Sequence, residues 1–501
     1  MKTEIDIMIV AEGTYPYVSG GVSTWIHRLI TSMKEFTFGV VFIGGRKRDY
    51  GEKKYVLPEN LVHLEEHYMF DPVTGLVPEA HRIDEKNLEY VRQLHLWFKK
   101  RQVEGVPDKL KTLKFYTDEV KEEDFLYSKD VWRFIKEQYI NYDMESPFVD
   151  YFWTIRNMHL PIWRLVDIAE NLPPFRLIHS PSTGYAGFLA SLVRYDRDVP
   201  FVLTEHGIYT RERKIDIMNA DWLVDRRLFF QREHGDVEHL RQVWIGFFES
   251  IGRFIYSSAE PIISLFDGAR EVQIKYGASP EKTRIIPNGI ELERFSRLRR
   301  ARNSELPKVV ALIGRVVPIK DIKTFINAIK ILADELPDVQ GWIVGPTEED
   351  PDYYEECTKL VDILNLDKKV LFLGLRNIED ILPMVGLVTI TSISEGMPLV
   401  VLEAFGAGVP VVATDVGSCR QLIYGGLDEE DLKIGRAGEL TPIANPHELA
   451  SAYRRLLTDR EYWSNCQKAA IKRVETYYRL DTMIEAYREI YRERMNGRHR
   501  V

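Results

Sequence analysis

Apolar residues along this chain fall into two kinds of run. Some are short unbroken blocks, and others recur every three or four positions. A strand buried on both faces produces the first kind, and a helix laid on a sheet produces the second. Residues 5–11 form the first block, and a glycine-bearing loop from Glu12 to Gly21 leaves it. Residues 22–33 then set Trp25, Ile26, Leu29 and Ile30 on one helical side, and 38–43 is the next block. Strand, glycine-bearing loop and helix are the opening of a Rossmann-like unit.

From about 65 to 158 charged and aromatic residues mix without that alternation, which predicts a mostly helical insertion packed on the sheet or on a partner. Strand and helix signals resume at 177–180, followed by the turn Pro181-Ser182-Thr183-Gly184 and a helix to Tyr195. The block 201–204 delivers Glu205-His206-Gly207 at its carboxyl end. A helix-rich stretch (221–253), a short run (254–257) and a helix near 261–276 lead to 284–290, which closes the first domain. The polar, basic run 296–307 is the best linker candidate. Beyond it, blocks at 309–314, 341–345, 370–374, 387–390 and 410–414 are each followed by turn or helix signals. A final amphipathic helix from about Glu475 carries Met483, Tyr487, Ile490 and Tyr491. The expected division is 1–300 and 301–474, with the last helix over about 475–501.

Bulk properties narrow the class. A chain of 501 residues with 45% hydrophobic and 29% charged content has room for two or three domain cores. A net charge of −9, with basic residues dispersed, argues against a nucleic-acid partner. Cys357, Cys419 and Cys466 have no metal-ligand spacing and are expected to be reduced and structural. The first apolar run is too short for a signal-peptide core, and no run approaches a membrane span, so a soluble cytoplasmic protein is expected.

The densest chemistry lies in 389–417. A strand at 387–390 breaks at Ser394-Glu395-Gly396-Met397-Pro398, and a helix starting at Pro398 is expected to end at Gly408. Glu395 and Glu403 therefore flank a helix N-terminus at the carboxyl end of a parallel strand, where free N–H groups favour a phosphate. Gly314-Arg315 and Lys320 end another strand at the same edge. Arg315 can make a forked contact to a diphosphate, and Lys320 a point-charge contact. Gly20 and Gly21 let backbone approach a ligand closely.

The string Glu-Gly-x-Pro-x-x-x-x-Glu from Glu395 to Glu403, with Ala404 and then Gly408-x-Pro-Val-Val, resembles the donor-binding signature of retaining family-four glycosyltransferases. Arg315 and Lys320 match the Arg and Lys of that family. The resemblance implies an α/β GT-B fold: two facing Rossmann-like domains, a helical insertion in the first, and a C-terminal helix crossing back onto it. It implies Glu403 on ribose hydroxyls, Glu395 on the donor sugar, and backbone N–H groups of Gly396, Met397, Leu399 and Val400 around phosphate and sugar. It sets the nucleobase near Leu375 and Arg376, and His206 against the transferred sugar. Gly207 stands where many members carry Asp, so roles of that Asp do not transfer. Glu205 and Arg211-Glu212-Arg213 stay unassigned, as candidates for holding acceptor or donor.

The strings Glu12-Gly13-Thr14-Tyr15-Pro16-Tyr17 to Trp25 and Thr204-Glu205-His206-Gly207-Ile208-Tyr209-Thr210-Arg211-Glu212 are similar to PelF-like glycosyltransferases of Pel exopolysaccharide synthesis. That resemblance implies a UDP-sugar donor (UDP-glucose or a UDP-N-acetylhexosamine), a growing glycan acceptor, and work beside an inner-membrane export complex. No cofactor or metal is expected, because no Asp-x-Asp ends a strand and Arg315 with Lys320 can supply the charge. A UDP-N-acetylglucosamine 2-epimerase-like isomerase and a non-catalytic nucleotide-sugar-binding subunit are the alternatives.

Overall fold

The unbroken apolar blocks become the central strands of two parallel sheets in the computed structural model, which describes residues 4–71, 83–99, 107–142, 146–218, 220, 239–301 and 305–496. The first sheet consists of β1 (Ile5–Glu12), β2 (Phe38–Gly44), β3 (Leu61–Tyr68), β4 (Phe175–Ser180), β5 (Phe201–Glu205), β6 (Ile262–Ser264) and β7 (Thr283–Ile285). Their order is β3-β2-β1-β4-β5-β6-β7. Every residue of β2 and β5 is buried, as a strand covered on both faces requires. The helix Gly21–Ser32 covers one face with Trp25, Ile26, Leu29 and Ile30.

The second sheet consists of β8 (Val309–Ile313), β9 (Gln340–Val344), β10 (Val370–Gly374), β11 (Leu387–Ile390), β12 (Val411–Thr414) and β13 (Gly438–Thr441), in the order β10-β9-β8-β11-β12-β13. Successive residues serve opposite faces. Val310, Leu312 and Val412 join one core with Phe325, Ile329 and Tyr453, whereas Ala311, Val411 and Ala413 join another with Leu402 and Phe405. The chain is thus an α/β protein with two Rossmann-like parallel sheets, as a GT-B fold requires.

Two compact units result. The first takes residues 1–264, 270–284 and 488–501, and the second takes 265–269 and 285–487. They divide earlier than residue 300. The run expected as a linker is instead a helix end and a 3-10 turn (Arg297–Ala301), with Phe295 and Leu298 buried in the second unit's core. Residues 302–304 of that run lie outside the described residues. The last helix is Leu480–Asn496, because Glu475 still belongs to Arg460–Tyr477. Its final turns are tied into the first unit. Tyr491 Oη meets His179 Nδ1 at 2.7 Å, and Arg488 pairs with Glu35 at 2.6 Å.

Other expectations shift for local reasons. The sheet runs on through β3 to Tyr68, past the expected start of the insertion at 65, because an edge strand tolerates polar residues such as His63, Glu65 and His67. The insertion is helical where described (Glu85–Lys99, Lys129–Tyr142 and Phe148–Asn171 are its long helices), with 72–82, 100–106 and 143–145 outside the described residues. Residues 254–257 are the last turn of the helix His239–Ser258, and the strand is β6, beyond Pro261. Residues 221–238 lie outside the described residues. Strand β13 was not expected. The helix after Glu395 begins at Leu399, with Pro398 as its N-cap, and ends at Gly406. Among the described residues no helix is long and apolar enough to cross a membrane, and all three cysteines are buried and unbridged.

Candidate active site

Each sheet reverses its strand order at one place, between β1 and β4 in the first and between β8 and β11 in the second. Neighbouring loops diverge at such a point and leave a crevice at the carboxyl ends of the strands. In both units the candidate residues lie there.

In the second unit, Arg315 leaves β8 and Lys320 closes the 3-10 turn Pro318–Lys320. The loop after β11 is laced to that turn. Ile393 N donates to Ile319 O at 2.9 Å, and Thr391 Oγ1 to Lys320 O at 2.7 Å. These bonds bring Lys320 Nζ to 2.6 Å from Glu395 Oε1, and Ser392 Oγ donates to the same oxygen at 2.5 Å. Both bonds land on Oε1, which leaves Oε2 for a further donor. Arg315 pairs with Glu349 at a more exposed position. Glu403 sits in the middle of the helix Leu399–Gly406 and is half-buried. The N–H groups of Leu399 and Val400 open that helix and have no intrahelical carbonyl to meet.

The Glu395-Gly396 corner is braced from behind. Ser418 N donates to Gly396 O at 2.9 Å, and Gly417, at φ 54°, packs so closely that a Cβ would fall on the carbonyl oxygens of Glu395 and Gly396. Gly417→Ala is therefore expected to cost about 1–3 kcal/mol, from left-handed strain and the displaced corner. Thermal unfolding checks this, and an unchanged melting temperature would contradict it. Met397 turns its side chain inward, where Sδ accepts from Asn288 N at 3.3 Å. The Oδ1 of Asn288 is buried without a partner among the described residues. Leu375 and Arg376 follow β10 at the same edge. Leu375 is 79% exposed, an unusual state for leucine, and Arg376 Nε donates to Leu373 O at 3.0 Å.

In the first unit the switch point opens into a cavity of about 630 Å³, lined by Glu12, His206, Tyr209, Glu212 and Arg213 among others. Glu12 ends β1 and takes a bond from Ala186 N and one from Tyr209 Oη, both at 3.0 Å, while burial raises its pKa. His206 ends β5. Its ring stands edge-on to Trp25 at 4.7 Å, and burial holds its pKa down to about 4, so the imidazole is neutral at neutral pH. Its Nε2 is buried without a partner among the described residues, a costly state away from a functional site. Gly20 and Gly21 are exposed, and a Cβ on either would meet nothing within 4 Å, so packing does not demand glycine there.

Of the unassigned residues, Glu205 is structural. It is fully buried and accepts from Thr183 Oγ1 at 2.9 Å, Tyr256 Oη at 2.7 Å and Gln273 Nε2 at 2.9 Å. It does not line the cavity; Glu212 and Arg213 do. The structure thus gathers Arg315, Lys320, Glu395, Gly396 and the start of the helix carrying Glu403 at one edge of the second unit. His206 lies in the cavity of the first. Sequence reasoning missed Ser392, Glu349, Asn288, Glu12 and Tyr209. Ser392 was open to discovery as a hydroxyl next to the motif, and Glu12 and Tyr209 stood without a role in the two first-domain strings quoted above; Glu349 and Asn288 carried no such signal.

Comparison with known proteins bears on the family and the fold. Residues 5–281 match the family described as a domain of unknown function (DUF3492), and residues 307–459 match glycosyl transferases group 1. A curated MMP alpha-(1->4)-mannosyltransferase of Mycolicibacterium hassiacum is 27% identical over 157 residues, 30% of this chain and 34% of that protein. A D-inositol 3-phosphate glycosyltransferase of Geodermatophilus obscurus is 27% identical over 235 residues, 44% of this chain and 50% of that protein. The chain therefore matches between a third and a half of the length of these relatives. Among solved structures, Anabaena HepE in complex with UDP superposes with a TM-score of 0.59 at 16% identity, covering 97% of this chain and 99% of that one. The same protein was solved with UDP-glucose (TM-score 0.58, 16% identity, the same coverage). The chain belongs to the DUF3492 family, whose model it matches over residues 5–281, and residues 307–459 beyond it match the model of glycosyl transferases group 1.

Proposed function

We propose that the chain moves a hexosyl unit from a UDP-sugar to a growing glycan, with retention at the anomeric carbon and without a metal. The observation that carries this reading is the Lys320–Glu395 pair at the strand-order switch of the second sheet. An ammonium offers three donors and uses one on Glu395, so the others can meet a diphosphate at the same place. Arg315 adds a planar fork and a second charge. Stabilising the departing diphosphate in this way is the largest single catalytic contribution expected.

The roles follow the resemblance residue by residue. Glu403 takes the ribose hydroxyls, and Glu395 takes a donor-sugar hydroxyl on Oε2. Backbone N–H groups of Gly396, Met397, Leu399 and Val400 surround phosphate and sugar. Exposed Leu375, with Arg376, lies by the nucleobase; Gly20 and Gly21 give backbone access, and His206 contacts the transferred sugar. As the sugar–phosphate bond breaks, the acceptor oxygen bonds to the anomeric carbon on the same face. The acceptor's proton passes to a phosphate oxygen, and UDP leaves. UDP and UDP-glucose are bound by HepE, the structural relative, which supports the choice of nucleotide. The PelF-like resemblance supports a cytoplasmic role in exopolysaccharide synthesis, beside an export complex.

The test is thermal unfolding with UDP, UDP-glucose and UDP-N-acetylglucosamine. A ligand at about 100 times its Kd stabilises the folded chain by about 2.7 kcal/mol, and at least one of these should raise the melting temperature. UDP release from the stabilising sugar nucleotide should persist in EDTA. No shift with any uridine nucleotide would refute the reading, and loss of release in EDTA would refute its metal independence.

A further inference from the structure

Glu212 was left without a role by the sequence, and the cavity of the first unit gives it one. It stands in the first turn of the helix Tyr209–Met218, just after the His206-Gly207 corner. Gly207 is not in the left-handed region, so its backbone does not require glycine. What a side chain there would meet is Glu212. A Cβ on Gly207 would lie 2.1 Å from Glu212 Oε1, so the flexible carboxylate would have to move aside. Glycine leaves the carboxylate in its present place next to the His206-Gly207 corner.

The neighbours leave that carboxylate available. Glu12 has both oxygens occupied, one by Ala186 N and one by Tyr209 Oη. Arg213 pairs with Asp216 at 2.7 Å and lies over the Tyr209 ring at 5.3 Å. Glu212 is open to the cavity, yet protein surrounds it at longer range and raises its pKa. One part of the wall is aromatic: Tyr185, Tyr209, Trp244 and Phe248 line it, with Trp244 and Phe248 stacked at 6.0 Å. Flat apolar rings beside an accepting carboxylate suit a ligand with an apolar ring face and hydroxyls around its edge. A pyranose has that chemistry; a lipid tail or a peptide does not.

We propose that Glu212 accepts a hydrogen bond from a hydroxyl of an acceptor pyranose in this cavity, and that Gly207 is glycine in order to seat it there. Calling this sugar the acceptor rests on the glycosyl-transfer reading. The pyranose site itself stands on the first unit alone.

The test uses the full chain and two probes, methyl α-D-glucopyranoside and methyl N-acetyl-β-D-glucosaminide, with binding followed by saturation-transfer NMR titration. Wild type should bind at least one of them. Glu212→Ala should weaken that binding about tenfold or more, as expected for losing a charged hydrogen-bond partner. Gly207→Ala keeps the carboxylate but displaces it, and should weaken binding comparably. Glu212→Gln, which keeps the shape, should fall between wild type and Glu212→Ala. Melting temperatures near wild type establish that the variants are folded. Unchanged affinity in Glu212→Ala overturns the proposal, and unchanged affinity in Gly207→Ala overturns the seating role. A wild type that is stabilised by UDP but binds neither pyranose overturns the sugar assignment while the donor reading stands. Pyranose binding without any response to UDP sinks the donor reading instead.

Discussion

Lys320→Ala is expected to lower turnover by about two to three orders of magnitude, the usual loss when one preorganised charge-stabilising donor is removed. The effect should fall on kcat, because the negative charge that Lys320 meets grows as the sugar–phosphate bond breaks. The fold should survive. Lys320 is partly exposed, and its backbone stays held by Thr391 and by the bond from Ile393 to Ile319. Stability should fall by about 1–3 kcal/mol, because Glu395 is left with Ser392 as its remaining partner. Lys320→Arg should recover little, since a planar fork cannot replace a compact ammonium at 2.6 Å from one carboxylate oxygen. UDP release from UDP-glucose, measured beside a melting curve, separates the two effects. Turnover near wild type would remove Lys320 from the chemistry.

That prediction could be made from sequence because its parts are close together in the chain. The stretch from Ser392 to Glu403 contains the carboxylate, its hydroxyl partner, the turn and the start of the helix, and Lys320 joins it through a single strand pairing, β8 with β11. Unbroken apolar blocks made the central strands plain for the same reason, since double burial leaves no other composition. Edge strands lose that signature, even where a polar residue is buried with partners of its own. Edge strand β3 carries His63, Glu65 and His67. In β13, Glu439 is used by Arg455 at 2.8 Å and Tyr462 at 2.6 Å. The cavity of the first unit was hidden for a different reason. Glu12, Ala186 and Tyr209 meet across long sequence separations, and nothing local says that Glu205 faces inward while Glu212 faces the cavity. The identities were visible, but their orientations required the fold.

Arg473 is the clearest case of such a hidden role, and its loss should be the largest stability change in the second unit. It lies in the amphipathic helix Arg460–Tyr477, where an arginine would ordinarily face water, yet its side chain is 0% exposed. Nε donates to Asp431 Oδ1 at 2.7 Å. The two terminal nitrogens reach the carbonyls of Leu422, Ile423, Asp431 and Gly435 at 2.8–3.3 Å. Asp431 Oδ2 in turn accepts from Gly426 N at 2.9 Å and Leu427 N at 3.2 Å. Arg473→Met should therefore cost about 3–5 kcal/mol, because it leaves a buried carboxylate without its counter-charge. Removing the charge as well, in Arg473→Met with Asp431→Asn, should recover only part of this, since several carbonyls remain unpaired in either case. The damage should reach the candidate donor site. Leu422 and Ile423 belong to the helix Cys419–Tyr424, whose N-cap Ser418 holds Gly396 O at 2.9 Å. Urea unfolding of the full chain should thus show an early transition in the variant that UDP shifts less than in wild type. A loss below about 1 kcal/mol would mean that water replaces the guanidinium, so that the buried network does not hold this part of the fold together.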